Sequence, residues 1–309
     1  MKKFNFDFYK NKKVFFIISI ALILVGLVCN LIIGTTLDIQ FAGGAMIKYS
    51  VDGEVDSNEI DALVEAETGR TVSVTTNQSF SDDSYQVTIS FAGNEGVSLE
   101  DQQAIADGLS AEYSDRTFNV VESSSVDPSM GARFFQKCLV CLVITFVLLL
   151  AYIALRFRKI GGIPAGVTAI IALIHDVLIV YFAFVLFRFP INDIFIAVIL
   201  TILGYSLNDT IVIYDRIREN RKLAGTSDPL ALPGIVNKSL NQTMSRSIMT
   251  SVTTFLALLV IYIVAAVYGL TTVTTFALPM MVGVIAGCYS SLCIAAPLYA
   301  LWVIKRAKK

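Results

Sequence analysis

Gly204–Asn220 reads GYSLNDTIVIYDRIREN, an apolar run that carries Asn208 and Asp209 inside it and then ends in charge. A carboxylate near the middle of a membrane costs roughly 2.5–3.5 kcal/mol on insertion scales, so it is seldom kept there without a use. On a helix Thr201, Gly204, Tyr205 and Asn208 fall at i, i+3, i+4 and i+7, a small and polar stripe with Asp209 at its edge. Such a stripe is expected to face protein or water rather than lipid. The continuation Tyr214–Lys222 leaves the apolar run with four cations and marks a cytoplasmic exit.

Around this stretch the chain is mixed. With 55% hydrophobic and 16% charged residues in 309, it is too apolar for one soluble core and too charged in places to lie wholly in lipid. The net charge of −1 hides a segregation: residues 35–133 hold 18 of the 25 acidic residues, with Lys48, Arg70, Arg116 and Arg133 as their cations. That block reads as soluble and acidic, and without a basic patch it points away from nucleic acid. The five cysteines, Cys29, Cys138, Cys141, Cys288 and Cys293, all lie in apolar runs, so the block has no disulfide framework. Cys138 and Cys141 have CxxC spacing but no second pair and no nearby histidine, which reads as packing. His175 is the only histidine, excluding an HExxH cage, and neither a GxSxG, a Walker A loop nor a GxGxxG is present. No cofactor, metal or nucleophilic enzyme chemistry is expected.

Apolar runs at Val14–Ile33, Phe134–Leu155, Pro164–Phe187, Ile191–Tyr214, Ile248–Tyr268 and Thr274–Ile304 are long enough to cross a bilayer core of roughly 30 Å. The first follows Lys2, Lys3, Lys10, Lys12 and Lys13 and lacks a small-x-small cleavage site, so it reads as a retained helix rather than a signal peptide. Cations gather between spans two and three, at Arg216–Arg246, and at Lys305, Arg306, Lys308 and Lys309. Both termini are therefore expected in the cytoplasm and the acidic block outside. The domains expected are 1–34, the cytoplasmic N-terminus and first helix; 35–133, the exterior block; and 134–309, helices two to six with the cytoplasmic loop 216–246 and a basic C-terminus.

The exterior block alternates strand and helix patterns: Ala45–Val51, Ser57–Glu67, Thr71–Thr76, Tyr85–Phe91, Ser98–Tyr113 and Phe118–Ser124. Asp56 with Glu59 and Ser98 with Asp101 have N-cap and N3 spacing. The fold class expected is an α-helical polytopic membrane protein of six transmembrane helices, with one extracytoplasmic α+β ferredoxin-like domain, βαββαβ, between helices one and two. Inside the loop joining spans four and five, Pro229–Ser245 places Ile235, Val236, Leu240 and Met244 opposite Asn237, Lys238, Asn241 and Gln242, the pattern of a helix lying on the inner membrane surface. Gly283 and Gly287 form a GxxxG that suits a subunit interface or close packing within the chain.

Four groups in or at the edge of the membrane can carry chemistry: His175 and Asp176 in span three, Asp209 in span four, and Arg246 opening span five. Movement that separates an arginine from a buried carboxylate leaves the anion uncompensated and favours uptake of a proton, which couples protons to conformation. A fixed ion pair between Asp209 and Arg246 is the alternative. For His175 and Asp176, with Asn208 and Tyr205 nearby in the pattern, a proton relay and plain hydrogen-bonded packing both remain open.

Asp38-Ile39-Gln40-Phe41-Ala42-Gly43-Gly44 resembles the D-F-x-G-G signature of the SecF family, the smaller of the paired SecD/SecF protein-export subunits of the resistance-nodulation-division superfamily. Gly204–Asn220 is similar to that family's fourth-helix motif, Ser245–Thr254 to its fifth-helix opening, and Ile174–Val177 to its third helix. The resemblance implies an accessory subunit of the Sec translocase in the bacterial cytoplasmic membrane. It would pair with SecD beside the SecYEG channel, and ion motive force, read here as that of protons, would promote export of a translocating polypeptide. Asp209 and Arg246 would be the ion-coupling pair. Asp38, Phe41, Gly43 and Gly44 would form the exterior turn. Gln40 and Ala42 depart from the family's usual residues, and Ser247 stands where threonine is frequent. A half-size exporter of lipids or small molecules, and a structural brace of the channel, are the other readings.

Overall fold

The six apolar runs fold into six helices long and apolar enough to cross a membrane. The computed structural model describes residues 6–53, 55–69, 72–78, 84–91, 97–113, 116–126, 128–225, 228–268 and 270–307. Lys2, Lys3, Arg70, Lys308 and Lys309, used above to orient or characterise the chain, lie outside the described residues, as does Thr71 at the start of one expected strand. The first span is α1 (Lys12–Ile33), followed by the single turn α2 (Ile39–Ala42).

Between α2 and the second span come β1 (Gly44–Asp52), α3 (Ser57–Thr68), β2 (Val72–Gln78), β3 (Ser84–Phe91), α4 (Leu99–Glu112) and β4 (Phe118–Val126). These four strands pair antiparallel in the order β2-β3-β1-β4. Alternation along β1 buries Ala45, Ile47, Tyr49 and Val51 on one face. Against them lie Ile60 and Val64 of α3 and Ile105 and Leu109 of α4, all at 0% exposure. Burial of such side chains contributes roughly 1.5–3 kcal/mol each. At the start of α4, Ser98 Oγ accepts from Asp101 N at 3.1 Å and Asp101 Oδ2 accepts from Ser98 N at 3.2 Å, a reciprocal cap.

The remaining spans are α5 (Pro128–Arg156), α6 (Gly162–Leu186), α7 (Asp193–Leu223), α8 (Leu232–Val267), and α9 (Thr271–Ser290) continued through a π turn, Ser291–Ala295, into α10 (Ala296–Ala307). Helices α6 and α7 and the last span form the buried centre, and α1, α5 and the second half of α8 expose wide apolar surfaces around it. The chain is a multi-pass membrane protein, mostly helical, with one small sheet.

Three boundaries differ from expectation. Helix α5 starts at Pro128, six residues before the apolar run, because its first turn packs on α2: a Cβ on Gly131 would stand 3.0 Å from Phe41 O and Gly43 N. The expected loop 216–246 is almost all helix: α7 runs on to Leu223 and α8 begins at Leu232. The segment expected on the membrane surface is instead the first third of α8, continuous with the span. At 36 residues and about 1.5 Å each, α8 is about 54 Å long, well beyond a bilayer core. Its apolar stripe, Ile235, Val236, Leu240 and Met244, is buried in the main core with Tyr214 and Ile217 of α7 rather than left for lipid. The GxxxG also serves internal packing. A Cβ on Gly283 would meet the Ile202 side chain at 2.5 Å, and one on Gly287 would meet Ser206 Cβ at 3.0 Å, so the two glycines let α9 lie close on α7.

Candidate functional site

Helix α7 is polar on three sides, and each side meets something different. Towards α8, Tyr205 Oη donates to Ser251 Oγ at 3.0 Å, Arg216 Nε to Gln242 Oε1 at 2.7 Å, and Asn220 Nδ2 to Ser239 Oγ at 2.9 Å. The pairs step in opposite directions along two antiparallel helices, so the seam is a ladder in which Asp209 stands opposite Ser247. The Ser247 hydroxyl and the Arg246 guanidinium are the groups that act on the Asp209 carboxylate. Among the described residues, neither Asp209 Oδ2 nor Ser247 Oγ, both buried, completes a hydrogen bond, and no ion pair closes between Asp209 and Arg246. Asp209 is 7% exposed, whereas Arg246 lies at the surface. The fixed ion pair considered above is therefore not formed in this conformation.

On the side facing α6 and the π turn, Asp176 is fully buried. Its Oδ2 accepts from Ser206 Oγ at 2.6 Å and Ser290 Oγ at 2.7 Å, and its Oδ1 lies 3.1 Å from His175 Nδ1. Further along, Thr210 Oγ1 is 2.9 Å from Ser291 Oγ, and Thr168 Oγ1 is 2.8 Å from the Tyr214 hydroxyl. The π turn begins at the Ser291 of this set; such turns recur at functional positions in helices. His175 Nε2 is buried without a hydrogen-bond partner among the described residues. His175 and Asp176 thus join a network inside the subunit, separate from Asp209. Sequence reasoning missed Ser206, Ser290 and Ser291 and gave Ser247 no role; hydroxyls in apolar runs were the available signal, with nothing to say which pairs meet.

The third side carries Thr201, Gly204 and Asn208, all exposed, with Tyr205 half-buried at its edge. The stripe expected to avoid lipid is therefore split: Tyr205 reaches Ser251 of α8, while Thr201, Gly204 and Asn208 are left exposed among the described residues.

Asp38, Phe41, Gly43 and Gly44 sit together at the junction between the bundle and the sheet. Asp38 caps α2, its Oδ1 accepting from Gln40 N at 3.0 Å, and its own N–H donates to Ile191 O at 3.1 Å on the α6–α7 connection. Phe41 packs on Phe134 and Phe135 of α5, with ring centroids at 5.5 and 5.1 Å. Gly43 and Gly44 have φ of 78° and 136°, and a Cβ on Gly44 would stand 2.4 Å from Phe91 O, so a side chain fits neither the angle nor the space. Burial raises the Asp38 carboxyl above the ordinary range; Asp193 and Glu122 add to the rise, while the Gln40 N–H and Lys48 oppose it.

A family described as "Protein export membrane protein SecD/SecF, C-terminal" matches residues 108–305. The chain is similar to the protein translocase subunit SecF of Petrotoga mobilis, at 34% identity over 99% of this chain and 98% of the relative. It is also similar to the protein translocase subunit SecDF of Bacillus subtilis, at 31% identity over 99% of this chain and 39% of the relative. A crystal structure of SecDF from Thermus thermophilus, described as a translocon-associated membrane protein, superposes with a TM-score of 0.80 at 28% identity, covering 96% of this chain and 38% of that one. A chain that matches one SecF almost end to end, and about two-fifths of each SecDF, belongs to the SecF branch of the SecD/SecF protein-export family.

Proposed function

We propose that the chain is an accessory subunit of the Sec translocase which, with SecD, uses ion motive force to promote protein export across the bacterial cytoplasmic membrane. The observation that carries this reading is the Asp209 site: a buried carboxylate opposite an orphaned serine hydroxyl, with an arginine near enough to act on it but not bonded to it. A carboxylate in that position has two low-cost states. Closing on Arg246 favours the anion, and withdrawal of Arg246 favours the protonated acid, so a proton that enters and leaves changes which packing of α7 on α8 is preferred. A brace would be better served by a closed ion pair.

The strand order β2-β3-β1-β4 with two helices on one face supports a ferredoxin-like domain between the first and second spans. The cations at the α5–α6 turn, the α7–α8 link and the C-terminus support a cytoplasmic placement for both termini and an extracytoplasmic placement for that domain. Relatives in which about two-fifths of a SecDF matches this chain support SecD as the subunit that covers the Thr201, Gly204 and Asn208 face. SecYEG and the translocating polypeptide are the further partners of this reading.

The test is export of a reporter protein into vesicles that contain the channel, SecD and this chain, with and without an imposed proton gradient. Asp209→Asn is expected to abolish the stimulation by the gradient while the complex stays assembled. Equal stimulation of both proteins would refute the assignment.

A further inference from the structure

At the end of the bundle where α7 leaves the apolar core, a cavity of about 690 Å³ opens between the α5–α6 turn and the last turns of α7, lined by Lys159, Ile160, Asp215, Arg218, Glu219, Arg221, Lys222 and Gly225. Its two acids are already engaged. Asp215 Oδ1 meets Arg218 at 2.6 Å and Arg156 at 3.2 Å, and Glu219 Oε2 meets Arg216 at 2.6 Å. Among the described residues no carboxylate lies within ion-pair distance of Lys159, Arg221 or Lys222, so the cavity keeps an uncompensated positive charge. A concave cluster of three such cations selects an anion with several acceptor oxygens, the chemistry of a phosphate ester.

The surroundings decide between a soluble phosphate and a lipid. Lys159 sits in the short turn Arg158–Ile160 that joins two helices apolar enough to cross a membrane, and the ends of such helices are where headgroups are met. On the last turn of α5 and the first turn of α6, either side of that turn, Leu155 and Ile163 are 57% and 66% exposed, so acyl chains find apolar surface directly beside the cations. We infer that this cavity binds the phosphate headgroup of an anionic phospholipid, with Lys159, Arg221 and Lys222 as the binding cations. The inference does not depend on the role of Asp209. A lipid held there would bridge the α5–α6 turn and the projecting end of α7.

The full chain, purified in detergent, is examined by native mass spectrometry after addition of phosphatidylglycerol, phosphatidylcholine or inorganic phosphate. Phosphatidylglycerol is expected to remain bound, and the other two are not. The pair Lys159→Glu with Lys222→Glu should weaken that binding roughly tenfold or more. An equal charge change elsewhere, Lys305→Glu with Arg306→Glu, should leave it intact, as should Lys159→Arg with Lys222→Arg. Equal loss in both Glu pairs would reduce the effect to general surface charge and overturn the inference. So would retention of inorganic phosphate as tight as that of the lipid, or loss of lipid in the Arg pair, since positive charge is all that is asked of those two positions.

Discussion

Asp176 and Asp209 are both carboxylates in apolar helices, and their neighbours give them opposite characters. Asp176 is saturated: two serine hydroxyls and the imidazole of His175 fix it from three directions. Asp209 is under-satisfied, and a group that lacks its partners in one conformation is suited to acquiring them in another. Removing a donor from the saturated site leaves a buried acceptor unpaired, so Ser290→Ala should cost about 1–3 kcal/mol and lower the melting temperature measured in detergent. Ser247→Ala takes away a hydroxyl that faces Asp209 without completing a well-formed hydrogen bond, and should change that temperature less. Both carboxylates were legible in the sequence as charges in greasy runs. Their difference was not, because it depends on which serines from three other segments meet them. Asp38 offers a pH test. Its raised carboxyl means that the folded state holds the proton more tightly than the unfolded chain, so the resulting stability is present at low pH and is lost as pH rises through the raised value. Asp38→Asn keeps the capping oxygen and carries no charge to bury. Its melting temperature should therefore lack the decline that the unmodified protein shows as pH rises from about 4.

The elements were read with uneven success, for reasons visible in particular segments. Strands and helices of the small sheet came out almost residue for residue, since two-residue alternation in β1 and the Ser98 cap are local signals. The first third of α8 did not. Its apolar stripe was evident, but a stripe says only that one face avoids water, and the same pattern serves a lipid surface or a neighbouring helix. Here α7 takes that face, and the N-terminal segment is held by asparagines of the polar one. Phe8 is 4% exposed, and the backbone of Phe6 and Phe8 is held by two asparagine side chains of α8: Asn241 Oδ1 accepts from Phe6 N at 2.8 Å, Asn241 Nδ2 donates to Phe6 O at 2.7 Å, and Asn237 Oδ1 accepts from Phe8 N at 2.9 Å. This strap holds the end of the helix that carries Arg246. Asn237→Ala with Asn241→Ala should release it, read as faster amide hydrogen exchange at residues 6 and 8 while the amides of α6 keep their protection. Unchanged exchange at those amides would show that aromatic packing of Phe6, Phe8 and Phe15 alone holds the segment.

Among the described residues of the whole molecule, the bundle and the sheet meet where α2, the first turn of α5 and Ile191 come together. The tie between Asp38 N and Ile191 O couples the sheet to the connection that precedes α7, the helix bearing Asp209. A change in how α7 packs thus has a short route to the sheet domain. The placement itself is testable: in intact cells a membrane-impermeant thiol reagent should modify Ser123→Cys on the outer strand β4 and should fail to modify Lys305→Cys until the membrane is opened. The central claim is that Asp209 takes up and releases the coupling proton. The most direct measurement is proton movement, followed with a pH-sensitive dye in vesicles holding the channel, SecD and this chain while a reporter is being exported. Proton flow is expected to rise with export in the unmodified complex and to be absent with Asp209→Asn; equal flow in the two would rule out Asp209 as the proton-carrying group.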